Sequence, residues 1–163
     1  MSTKTIMHIA VIGLLLTLGA CKPRLIPNSS VPDTKENRFV TAFMEDYKNA
    51  IISRSVPDIM LLVSPDYLET NGTTEASDDY NYAQLQDKLE KTYAHVKEIT
   101  LRIHIQNITR KDDRIQVFYF YNQHSLVDLP AGEQWMAVNE VNRLVLKLKG
   151  KKASDGLEIL SGL

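Results

Sequence analysis

The chain has 163 residues, with 19 Lys and Arg against 20 Asp and Glu and a single cysteine. That length suits one domain with one core, and the near-balanced charge excludes the basic excess that non-specific nucleic-acid binding needs. A lone cysteine excludes an intrachain disulfide framework, and no internal repeat, Gly-x-Ser-x-Gly, phosphate-binding glycine loop or dinucleotide fingerprint occurs, so no cofactor is expected.

Residues 1–20 read MSTKTIMHIAVIGLLLTLGA, with Lys4 ahead of an apolar stretch from Ile6 to Leu18. The stretch is shorter than the about 20 residues that span a bilayer, and has the size of a secretory apolar segment. Leu18, Gly19, Ala20 and Cys21 then resemble the lipobox of a bacterial lipoprotein signal: an aliphatic residue, two small residues and cysteine. The resemblance implies cleavage before Cys21, diacylglycerol on its thiol and a membrane anchor, because two acyl chains hold stably where one does not. Lys22, in place of Asp, implies the outer membrane in a host with two membranes. Removing Lys4 with the signal leaves 18 basic against 20 acidic side chains, a charge of −2. Residues 21–33 continue with three prolines and no period, which predicts a flexible tether. In that setting the Asn-x-Ser/Thr triplets at Asn28, Asn71 and Asn107 are chance matches.

The domain is expected over 34–163. Phe39, Val40, Phe43, Met44, Tyr47, Ala50 and Ile51 recur at helical spacing, and Asp33 with Glu36 reads as a capping box, so a helix is predicted over about 34–54. Ser55 and Asp58 open a short apolar helix through Val63, stopped by Ser64-Pro65. Around Tyr67 to Asn71-Gly72 a short β-ribbon or irregular hairpin is expected. Tyr82, Leu85, Leu89, Tyr93 and Val96, with Asn81 and Gln84 as a cap pair, predict a helix over about 81–95. From Ile99 the period becomes two, and the segments after RKDDR, after Pro130-Ala131-Gly132 and after Gly150 complete a meander of about four antiparallel strands.

The fold class is thus α+β, a curved antiparallel sheet wrapped on two long helices and one short one. With YLETNG before the third helix, YAHVKEITLRIHIQNI passing from helix to strand, and the closing DGLEILSGL, residues 34–163 resemble the nuclear transport factor 2-like (cystatin-like cone, SnoaL-like) superfamily. Leu157 stands where family members often carry Trp. The resemblance implies a cone with a pocket between the sheet and the helices, and a homodimer through the sheet. It leaves the chemistry open, since the superfamily includes isomerases, dehydratases, cyclases and members with no known activity.

Candidate site residues come from the strand alternation. Met136, Val138, Glu140, Asn142, Leu144 and Leu146 share one face, so Glu140 and Asn142 interrupt an apolar row. Trp135, Ala137, Val141 and Val145 make the opposite face apolar too, so which side points inward stays open. His124 shares a face with Phe118, Phe120 and Asn122, while His104 lies between Arg102 and Gln106 on a polar one. Tyr47, Tyr121, His124, Trp135, Glu140 and Asn142 are therefore the expected pocket residues. His95, His104 and His124 lack ligand spacing, so no metal is expected. Glu69, Glu75, Asp78 and Asp79 read as charges near a helix start, and Lys147, Lys149, Lys151 and Lys152 as a basic hairpin tip that either solubilises a turn or touches anionic lipid.

Together these residues predict a membrane-anchored envelope lipoprotein whose cone domain binds a small apolar ligand or an envelope protein without catalysis. The alternative is a pocket enzyme of hydrolase or isomerase type with Glu140 or His124 as general base. A third possibility is an assembly module that acts through its sheet face.

Overall fold

The computed structural model describes residues 23–70, 72 and 77–163. Cys21 and the residues before it, together with Asn71 and Glu75, lie outside the described residues. Helix α1 (Lys35–Ser53) buries Val40, Phe43, Met44, Tyr47, Ala50 and Ile51, the stripe that helical spacing puts on one side. Phe39, expected on that stripe, stays 39 % exposed at its margin. The cap is Thr34 and not Asp33: the Thr34 hydroxyl accepts from the Asn37 N–H, while Asp33 pairs with Arg38. Arg54 ends the helix in the left-handed conformation (φ 56°) and donates to the Val96 carbonyl at 2.9 Å, fixing where the sheet starts.

Helix α2 (Val56–Leu62) is capped by the Ser55 hydroxyl, which accepts from the Asp58 N–H. Helix α3 (Tyr82–Tyr93) starts with a complete capping box between Asn81 and Gln84. Between the two, β1 (Leu68–Glu69) pairs with β2 (Tyr80–Asn81), so the ribbon's connection runs from 70 to 79 and is longer than a turn at Asn71-Gly72.

Strands β3 (Val96–Lys111), β4 (Arg114–Leu129), β5 (Gly132–Leu148) and β6 (Leu157–Ser161) form an antiparallel meander in chain order. Register shifts at Val96/Glu98 and Ile105/Asn107 on the β3 side, and at Ile159/Ser161 on the β6 side opposite Val145 and Leu146, bend the sheet around the helices. Ile99, Leu101 and Ile105 of β3, Ile115, Val117 and Tyr119 of β4, and Leu144, Leu146 and Leu148 of β5 point into the core. The inward side of β5 is thus the row that contains Glu140 and Asn142. Strand β6 pairs only with residues 145–148 of β5, so among the described residues β5 has a free edge before that point.

One expectation is corrected outright. Residues 24–33 are not a tether but a folded turn: the Ile26 N–H donates to the Val31 carbonyl (3.0 Å), the Asp33 N–H to the Arg24 carbonyl (2.7 Å) and the Ser30 N–H to the Ile105 carbonyl (2.9 Å). Ile26 and Val31 are buried in the main core. Prolines keep this segment out of helix and sheet but do not stop two apolar side chains from docking.

Candidate ligand-binding cavity

Where α1 and α3 cross the inward face of β3, β4 and β5, the packing leaves a cavity of about 200 Å³. Its walls are Ile51, Leu89, Leu101 and Ile103, with Tyr47 from α1, Tyr93 from α3, Tyr119, Tyr121 and Gln123 from β4, Asn142 from β5, and Gly162 and Leu163 after β6. The tyrosines converge because β4 alternates, placing 119, 121 and 123 on the inward side, while helical spacing turns Tyr47 and Tyr93 toward them.

Register then assembles a polar chain. Tyr119 lies directly opposite Asn142, whose amide donates to the Tyr119 hydroxyl at 3.2 Å and to the Gly162 carbonyl at 3.1 Å. The Asn142 carbonyl oxygen accepts from the Arg143 N–H at 2.7 Å. The Tyr47 phenol lies beside the Tyr119 phenol. Burial pushes Tyr119 up to about 12, against the lowering effect of Tyr47 and Asn142 beside it, and holds Tyr47 well above the usual phenol range. These phenols therefore stay neutral at any physiological pH and act as hydrogen-bonding groups.

Tyr93 differs. Burial alone raises it to about 12, and its hydroxyl makes no hydrogen bond to any described residue. A phenol at a cavity wall without a protein partner is an available handle for a ligand.

Of the six expected pocket residues, the structure brings Tyr47, Tyr121 and Asn142 together on this cavity. Two others are corrected. His124 and Trp135 lie on the outer face of the sheet, His124 opposite Thr100 and Ala137, and Trp135 opposite Leu126 and 56 % exposed. The period-two rule puts both of them with the outward row, since Tyr119 and Asn142 fix the inward one. Glu140 is on the inward face but past the reach of the helices; it is exposed, and its carboxylate accepts from the Tyr121 hydroxyl at 3.3 Å. Cys21 lies outside the described residues.

Tyr93 and Tyr119 were not among the expected pocket residues. The run Val117 to Tyr121 is apolar on both faces, so composition hides its inward row. The signal was the two-residue turn at Pro130-Ala131, which sets every later pair, Tyr119 with Asn142 and Tyr121 with Glu140 included.

Among the described residues no group of three or more His, Cys, Asp and Glu is placed to hold a metal, and every side-chain nitrogen and oxygen shut off from solvent has a partner, so the Tyr93 hydroxyl is open to solvent. A broader groove of about 590 Å³ runs along the open edge of β5, lined by Phe118, Val141, Arg143 and Gly162 among others. It adjoins the cavity through Asn142, Gly162 and Leu163, which line both.

No family model matches the sequence, and no curated protein matches it in sequence. Solved structures do match its shape. A ketosteroid isomerase-like protein from Erwinia carotovora atroseptica superposes with a TM-score of 0.61 at 13% identity, over 79% of this chain and 94% of the other. A protein of the NTF2-like family from Streptomyces avermitilis, described as a dehydratase, gives 0.58 at 12% identity, over 78% and 93%. The fold is the nuclear transport factor 2-like cone. A type 2 hexachlorocyclohexane dehydrochlorinase shares it, with a TM-score of 0.60 at 9% identity over 77% of this chain and 81% of the other. Identities this low carry the cone and its pocket, and no reaction.

Proposed function

We propose that the chain is a cell-envelope lipoprotein, anchored through acyl chains on Cys21, whose cone domain binds a small ligand and does not transform it. In a host with two membranes the place is the periplasmic face of the outer membrane. The anchor rests on the Leu18-Gly19-Ala20-Cys21 string and the apolar stretch before it. The binding role is carried by one observation: the cavity is walled mostly by aliphatic and phenolic side chains, with Gln123 and Asn142 among them, and Tyr93 offers a hydroxyl that no described residue bonds. A ligand that fits has an apolar body and one hydrogen-bond acceptor such as a carbonyl or ether, and it is smaller than the occupants of the about 300–1,000 Å³ sites usual for drug-sized molecules.

The pocket-enzyme alternative is less favoured. A general base must reach a substrate proton from inside a site that excludes water. His124 faces away, and Glu140 stands in solvent beyond the cavity wall.

Native mass spectrometry of the gently extracted chain tests the binding role. The expected result is a reproducible extra mass, released unchanged on denaturation and lost from an Ile103→Trp variant that fills the cavity. A bare wild-type chain, or a released compound that differs from the one bound, counts against it. The anchor is tested by Cys21→Ser, which should abolish acyl labelling and membrane retention; undiminished retention would sink it.

A second copy as partner has its own support. Phe120 and Val141 face each other on the outer side of the sheet, 38 % and 61 % exposed, and Leu126 meets Trp135 further along. An apolar stripe on a two-fold self-complementary face is what an isologous dimer buries. Sedimentation of Val141→Arg, expected monomeric beside a dimeric parent, checks it; a monomeric parent removes it.

A further inference from the structure

The segment 24–33 changes what an anchor at Cys21 does to the domain, and this inference rests on the lipoprotein reading above. Folded contacts begin at Arg24, whose carbonyl accepts from Asp33 and whose guanidinium lies 3.8 Å from the Asp33 carboxylate. Only Lys22 and Pro23 separate Cys21 from Arg24. Three residue steps reach about 10 Å at most, against about 40 Å for a tether of twelve residues. The domain is therefore held against the bilayer, and the end that carries Arg24 faces it.

That end is built around Arg110. Its guanidinium donates to the Glu36 carboxylate at 2.9 Å, the Lys151 carbonyl at 3.0 Å and the Asp112 carbonyl at 3.1 Å. It thereby gathers the start of α1, the β3–β4 turn and the loop between β5 and β6 into one surface. Lys35, Lys111, Arg114, Lys151 and Lys152 stand there exposed, and none makes an ion pair with a described residue. Lys35 and Lys152 flank the exposed ring of Phe39 in one shallow groove.

The carboxylates at this end are mostly engaged. Asp33 holds Arg38 and Arg24, Glu36 holds Arg110, Glu158 holds Lys149, and Asp155 accepts from the Lys152 N–H; Asp112 and Asp113 remain. The basic surplus is thus a property of the assembled end. Lys147 and Lys149, expected to belong to it, are instead paired with Asp66 and Glu158. The opposite end, at the β4–β5 turn, has Asp128 and Glu133 closing on Lys97 alone, with Glu98 beside it.

We propose that the five unpaired cations and Phe39 form a foot that rests on phosphate-bearing lipid headgroups, so that the domain stands on the membrane with the β4–β5 turn pointing away. Charge complementarity and the short reach from Cys21 select the same end. Each cation removed should weaken headgroup contact about fivefold, and added salt should weaken it further.

The test uses the full chain, processed and acylated in cells, then reconstituted into vesicles of phosphatidylcholine with or without phosphatidylglycerol. A fluorophore is placed on Ser154→Cys at the foot or on Ala131→Cys at the far turn, and quenched by a headgroup-bound nitroxide. The expected result is severalfold stronger quenching at 154 than at 131 in anionic vesicles. The contrast should shrink in phosphatidylcholine alone and in Lys35→Glu/Lys151→Glu/Lys152→Glu, all exposed positions that leave the core intact. Equal quenching at 131 and 154 in a chain whose intact mass shows acylation overturns the orientation and leaves the anchor standing. A chain without acyl mass overturns the anchor and this inference with it.

Discussion

The two halves of the β4–β5 hairpin have the same alternation and opposite fates. Near the β5–β6 connection, Leu144, Leu146, Val117 and Tyr119 are buried beneath helices. Toward the turn, the same inward rows continue through Glu140 and Met136, and both are exposed, Met136 by 51 %. Pairing and alternation continue unbroken between the halves, although the inward row passes from leucines to Asn142 and Glu140. What changes is the cover: the helices lie against β3, and β6 pairs with β5 only over residues 145–148, so the rest of β5 is an edge that neither reaches. A strand's period tells which side chains share a face; the reach of the packed helices decides which of them are dry.

The largest expected contrast is between Leu144→Ala and Met136→Ala, eight residues apart on one face. The first should cost about 2–5 kcal/mol in urea denaturation and the second no more than about 0.5 kcal/mol. Similar costs would mean that the distal half is covered in solution, by a partner or a second copy.

Alkaline pH sharpens the contrast next. Tyr93 and Tyr119 are held near 12 in the folded chain, above the about 10 of an unfolded one. As pH rises from about 10 to 12 the unfolded chain gives up these protons first, so unfolding becomes more favourable. Stability is full below about pH 10 and should fall by about 1.4 kcal/mol per pH unit for each such tyrosine. Tyr119→Phe should remove one share of that slope; an unchanged slope would place the loss elsewhere.

Near neutral pH, Tyr119→Phe takes one acceptor from the half-buried Asn142 amide and should cost about 1–3 kcal/mol. Tyr121→Phe loses only a contact to the solvated Glu140 and should cost under about 1 kcal/mol. The smallest stability effect belongs to Tyr93→Phe, which breaks no bond to a described residue. It should leave unfolding unchanged while weakening ligand retention about tenfold. Parallel loss of stability would make Tyr93 a structural group and not a handle.

Much of this architecture was legible in the sequence. The α1 stripe, the Ser55 and Asn81 caps and the four-strand meander follow from spacing and cap chemistry, which are local. What was not legible depended on tertiary cover. Whether Asn142 or Trp135 faces inward needs the helices in place, and the docking of Ile26 and Val31 needs a hydrophobic surface around Ile105 that no local pattern announces. Asp33 was a plausible cap until Arg38 offered it a charged partner, leaving Thr34 to accept from Asn37. In the site itself, Tyr47, Tyr121 and Asn142 could be singled out, while His124 and Trp135 were drawn in by residue type without a fixed face.

The account turns on the tyrosine-walled cavity being an occupied binding site. The most direct measurement is an X-ray structure of the protein purified gently from the cells that make it. The account predicts continuous non-protein density among Leu101, Ile103 and Tyr121, with an acceptor atom about 2.7 Å from the Tyr93 hydroxyl. A cavity closed by repacked side chains, or one holding only water bonded to Tyr93, would contradict it.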